Sequence, residues 1–182
     1  MAKSQTRIEE LLRSLGADRV DHTGGSLYDH LRRVGAVLGA WGADSAVRAA
    51  GMCHAAYGTD GFDHALLDLA DRSRLLGVVG PRAEAIVYLY GSCDRSAVYP
   101  QIGQGGPVEF RDRFTGEVHR PDEADLCAFM EITAANELDV MAHDPAIAAR
   151  HGAGLHRLFE RARDLLSPAA QDACAAAAPE GP

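Results

Sequence analysis

Apolar residues recur three and four positions apart along most of this chain, and no other feature limits its fold as tightly. "IEELLRSLGA" sets Ile8, Leu11, Leu12 and Leu15 on one stripe, with Gly16 as a stop. "HTGGSLYDHL" opens a second helix, where Ser26 and Asp29 form an N-cap signature close to a capping box. Its buried face is Leu27, Leu31, Val34, Leu38 and Trp41. A third helix, in "ADSAVRAAGMCHAAYG", is capped by Asp44 and runs to Gly58. "DHALLDLADRSRLLGVVG" and "PRAEAIVYLYGSCDR" read as two more, the second begun by Pro81. Regularity lapses between Ser96 and Arg120, where "VEFRDRFTGEVHR" alternates enough for a short β-hairpin around Thr115-Gly116 or an irregular flap. Helix resumes in "DEADLCAFMEITAANELDVMAH" and "AIAARHGAGLHRLFERARDLL". The expectation is one all-α domain over residues 1–166, with six or seven helices and an inserted loop or hairpin around 96–120. Residues 167–182 read as a low-complexity, frayed tail.

Composition narrows the function classes. A chain of 182 residues suits one sizeable core. Its net charge is -8, Lys3 is its only lysine and it has no basic run, so phosphate backbones repel it and nucleic acid is not an expected partner. A small anionic ligand stays compatible, because one or two pocket arginines outweigh the global charge locally. No apolar run is long enough to span a bilayer, and "MAKSQTRIEE" turns polar where a signal peptide turns apolar. The expected compartment is the cytoplasm, without membrane contact. Cys53, Cys93, Cys127 and Cys174 are scattered with no CxxC pair, which argues for reduced, mostly buried thiols. The helical surface and Ala-rich ends suit a homodimer.

Two histidines stand where a helix expects core hydrophobes. His30 lies three residues after Leu27 and four before Val34, and His54 shares a face with Val47, Ala50 and Gly51. Burying two imidazoles costs desolvation unless each finds a partner, and a shared metal ion supplies one. A third, anionic ligand is offered by "NELDVMAH", where Asn136, Asp139 and His143 lie on one helical face. His30, His54 and Asp139 would suit one divalent ion, zinc, manganese or iron, with coordination positions left open.

"SLYDHLRRVGAVL", "AGMCHAAYGTDGF", "GPRAEAIVYLYGSCDR" and "ITAANELDV" succeed one another much as the signature segments of HD-domain proteins do. The order resembles the small-alarmone hydrolase branch, which cleaves pyrophosphate from (p)ppGpp. It also resembles a family of small uncharacterised bacterial proteins with "YGTDGF"-like and "ANELDV"-like segments. The resemblance implies that His30 is the first histidine of an HD site and His54 the histidine of the His-Asp pair. Ala55 stands where that pair's aspartate is expected, and Asn136 where the last aspartate is expected. An acidic loop persists as Thr59-Asp60, with Asp63 nearby.

The surrounding polar residues each admit two readings. Tyr57 either orients a ligand as a catalytic neighbour of His54 or packs amphipathically. Asp60 is either a general base or part of an ordinary turn. Arg95 either neutralises a substrate anion or complements a helix dipole. Arg113 either closes on substrate or sits on a solvated hairpin, and His22 reaches the pocket from the start of the His30 helix. Three functions follow for a small-molecule substrate. The first is metal-dependent hydrolysis of a phosphoester or pyrophosphate, and the second is a non-haem iron oxygenase or other biosynthetic enzyme. The third is a non-catalytic ligand-binding protein with a degenerate site. No P-loop, GxGxxG, GxSxG or HExxH is found.

Overall fold

The computed structural model describes residues 2–62 and 64–177, so Asp63 lies outside the described residues. The fold is all-α. Helix α1 spans Ala2–Ser14, α2 Leu27–Ala40 and α3 Ser45–Cys53. The next three are α4 Arg72–Val79, α5 Pro81–Ser92 and the one-turn α6 Arg95–Val98. The last three are α7 Glu123–His143, α8 Pro145–Arg161 and α9 Pro168–Ala176. Two small antiparallel ribbons interrupt them. Strands β1 (Asp21–His22) and β2 (Gly25–Ser26) precede α2, and β3 (Phe110–Arg111) and β4 (Val118–His119) precede α7. No described helix is long and apolar enough to cross a membrane.

Helix α7 is the axis of the molecule. Its residues 128–137 are all buried, and it packs against α2, α3, α5, α8 and α9. Phe129 anchors this centre, with the rings of Tyr90 and Phe110 each 5.6 Å away. A helix enclosed on every side has no solvent face to fill, which is why "CAFMEITAANEL" lacks a clean amphipathic stripe. The polar side chains on it must therefore find partners inside.

Four segments depart from the sequence expectation. Helix α3 stops at Cys53 rather than Gly58, because the backbone closes into tight turns, Ala56 N–H to Cys53 O and Gly58 N–H to Ala55 O. Helix α4 starts only at Arg72, since Leu66 and Leu67 both donate to Ala56 O and hold the preceding segment against that turn. Arg95 opens the extra helix α6, capped by Asp94. The expected frayed tail is ordered as α9 through Ala176, capped by Ser167, with Ala170 and Cys174 buried. The hairpin around Thr115-Gly116 forms, with Phe110 opposite His119 and Arg111 opposite Val118.

Candidate functional site

The site begins with the start of α2. Ser26 accepts from the Asp29 N–H and the Asp29 carboxylate accepts from the Ser26 N–H, a complete capping box. That fixes the helix register and turns His30 inward, where it has no exposed surface. The β1–β2 ribbon folds over it, so that His22 stacks on His30 with ring centroids 4.2 Å apart. The ribbon's tip needs Gly24, whose φ is +75° and whose added Cβ would fall 2.5 Å from His143 Cδ2.

His30 is held through both ring nitrogens. Nδ1 lies 2.7 Å from Asp139 Oδ2, and Nε2 lies 3.0 Å from Asn136 Oδ1 and 3.4 Å from His54 Nε2. Arg33 closes on Asp139 from the other side, Nε to Oδ1 at 2.7 Å and Nη2 to Oδ2 at 2.9 Å. Burial pushes the Asp139 carboxyl up, but hydrogen bonds from His30 and Arg33 outweigh it and hold the group down at about 2. Asp139 is therefore a carboxylate that only accepts, and His30 Nδ1 donates to it. The Asn136 amide nitrogen donates to Glu137 Oε1 at 3.1 Å, which leaves its oxygen facing His30 Nε2. Hydrogen-bond bookkeeping then makes Nε2 a donor as well.

His54 is the complementary partner. Its Nδ1 donates to Gly51 O at 2.8 Å, so Nε2 offers a lone pair toward His30. Burial first, and then the facing His30 ring, lower His54 to about 3, and the same two causes lower His22 to about 4. The rings of His30 and His54 can meet because α2 and α3 approach closely. A Cβ on Gly51 would lie 2.1 Å from Leu38 Cδ1, and one on Gly35 would lie 2.3 Å from Met52 Cγ.

The structure brings together His22, His30, His54, Asn136, Asp139 and Arg95, and it separates Tyr57, Asp60 and Arg113 from them. Tyr57 points away, its hydroxyl donating to Glu84 Oε1 at 2.8 Å, because the end of α3 at Cys53 breaks the helical phase assumed for it. Asp60 accepts from the Arg95 backbone N–H at 2.8 Å, which makes it a brace for α6 rather than a base in the pocket. Arg113 donates to Gly91 O at 2.7 Å and lies over the Phe114 ring. Asp139 belongs to the site but not as a ligand beside the two histidines: it sits on Nδ1 of His30, the side of the ring away from His54. Arg33 and Glu137 were missed. Arg33 had a signal, since it lies three residues after His30 on the same helical face.

The donors do not fit the expected metal ion. An ion on Nε2 of His30 and His54 would find two neutral imidazoles and the neutral Asn136 oxygen, with Ala55 adding nothing. Both nearby carboxylates are taken, Asp139 by Arg33 and Glu137 by Arg95 at 2.9 Å. Among the described residues that line this place, no unpaired carboxylate is left to balance a dication. Among the described residues, no group of three or more His, Cys, Asp or Glu side chains could hold a metal ion.

Above these residues opens a pocket of about 140 Å³, lined by His22, His54, Arg95, Asn136 and Glu137 among others. The model of a family described as Domain of unknown function (DUF6817) matches residues 11–95. That stretch carries His22, His30, Arg33, His54 and Arg95 but neither Asn136 nor Asp139. No curated protein and no solved structure matches the chain.

Proposed function

We propose that this chain acts on a small polar molecule by acid–base chemistry, with His30 as the proton donor and no metal ion in the reaction. The carrying observation is the hydrogen-bonded run Arg33–Asp139–His30, whose last donor is aimed between Asn136 and His54, both pocket-lining. A carboxylate on Nδ1 fixes the ring's orientation and stabilises the imidazole that carries the proton. The 3.4 Å separation of the two Nε2 atoms is long for a hydrogen bond. A ligand oxygen that takes the His30 Nε2 hydrogen displaces the Asn136 oxygen that holds it at 3.0 Å.

Hydrolysis of a phosphoester or related ester is the simplest such reaction, with His30 protonating the leaving oxygen. A covalent route through cysteine is disfavoured, since burial pushes the Cys53 thiol up to about 12 and holds Cys93 well above its ordinary range. The HD resemblance supports the location, because His30, His54, Ala55 and Asn136 gather at one place. The metal-dependent hydrolase and the iron oxygenase both need anionic ligands that these residues do not supply. A non-catalytic binding protein is the second reading, favoured by the complete burial of His30.

The test is turnover of a panel of p-nitrophenyl esters and phosphoesters by metal-stripped protein with excess chelator. Turnover should survive the chelator and fall about 100-fold or more in His30→Gln. Turnover that chelator abolishes and zinc restores would contradict the proposal. Ligand binding with no turnover of any substrate would favour the second reading.

A further inference from the structure

The histidine pocket is too small to hold more than a head group. At about 140 Å³ it falls below the roughly 300 Å³ at which sites for small-molecule ligands begin. It does not end blindly. Gly61, Arg95 and Glu137 line both this pocket and a second cleft of about 560 Å³. The ion pair Arg95–Glu137 is thus a partition with a ligand-sized space beyond it.

The chemistry of that cleft differs from its surroundings. One wall is apolar, formed by Tyr99, Pro100, Leu155 and Leu158. Its charged side chains are Arg95, Arg161 and Glu137, with His151 also in the lining, and Glu137 is already paired. Arg161 donates to the carbonyls of Ile102, Arg157 and Tyr99, and among the described residues no carboxylate pairs with it. Neutral carbonyls hold the guanidinium in place and leave its charge uncompensated. In a chain of net charge -8, this is a local reversal of sign. The Tyr99 hydroxyl is also buried, without a hydrogen-bond partner among the described residues.

We infer that the cleft beyond Arg95 is the outer half of the ligand site and takes an organic anion with an apolar body. The polar head of the same molecule reaches the histidine pocket past Gly61. This rests on the reading of that pocket as the reactive end. The apolar body covers Leu155 and Leu158, and the anion lies against Arg161, with Arg95 shared between it and Glu137.

Phenyl phosphate is the probe, with inorganic phosphate and phenol as its separate halves, measured by calorimetric titration. Phenyl phosphate should bind about tenfold or more tightly than either half. Gly154→Leu fills the cleft from α8, where an added Cβ meets only Arg157 Nη2 at 3.9 Å, so the thermal midpoint should hold or rise. It and Arg161→Gln should each weaken phenyl phosphate about tenfold or more. Phenyl phosphate binding that both variants weaken, in protein that turns over no ester, would uphold the cleft while the acid–base chemistry fails, so the two failures are read apart. Phenyl phosphate that binds no better than inorganic phosphate, or equally well to Gly154→Leu, would overturn the inference.

Discussion

His30 illustrates how a buried histidine is made tolerable. Burial of an imidazole is costly unless its nitrogens are satisfied, and here Asp139 satisfies one while Asn136 and His54 share the other. The inward phase of His30 and His54 could be read from their place on apolar stripes, and Asn136 from its phase on α7. What they bind to could not, because the choice between a metal ion and a hydrogen-bonded carboxylate depends on which side of the ring Asp139 reaches. Arg33 decides that by clamping both Asp139 oxygens. Asp139→Asn removes the anion, leaves the guanidinium without a counter-charge and gives the His30 Nδ1 hydrogen a weaker acceptor. It should cost about 3 kcal/mol in urea unfolding, as for one partner of a buried ion pair. A cost below about 1 kcal/mol would place the pair among ordinary surface bridges.

At the scale of elements, the close contact of α2 and α3 sets the distance between the two imidazoles. Gly51 permits it, and its carbonyl also receives the His54 Nδ1 hydrogen. Gly51→Ala sets roughly 1 kcal/mol of helix propensity against about 1–3 kcal/mol of overpacking at Leu38. The variant should be destabilised by about 1 kcal/mol and should lose the nuclear Overhauser contacts between the His30 and His54 rings. A variant of unchanged stability with those contacts intact would contradict the packing account. Elements with local signals were legible: the Ser26/Asp29 capping box marks α2, Asp44 marks α3, and Thr115-Gly116 marks the hairpin. Elements set by distant partners were not. The end of α3 follows from the 66–67 backbone bonding back to Ala56, and α9 forms because Glu131 on α7 accepts from Ser167, its cap. Tyr57 was misplaced for that reason, since its predicted direction assumed four more helical residues.

The whole molecule carries the site in its stability against acid. His54 is lowered to about 3 in the folded chain, whereas an unfolded histidine protonates near its ordinary value of 6.5. Between those values the unfolded state holds the extra proton, so stability falls as pH falls. For His54 the loss between pH 7 and pH 4.5 comes to about 2–3 kcal/mol. His22 acts in the same direction over a narrower window, down to about 4. Asp139, depressed to about 2, adds its loss only below the ordinary carboxylate range, once the unfolded chain protonates first. Urea midpoints measured from pH 7 to 4.5 should therefore decline steadily, and less steeply in His54→Gln. A flat profile would mean that His54 is not held neutral inside the fold.

The central claim is that His30 is a hydrogen-bonded proton carrier and not a metal ligand. The most direct measurement is side-chain ¹⁵N NMR of the histidines in metal-free protein at neutral pH, followed by one equivalent of zinc. The account predicts that His30 Nδ1 carries hydrogen toward Asp139 and that neither the His30 nor the His54 signals move when zinc is added. Joint displacement of the two Nε2 signals by zinc would contradict it.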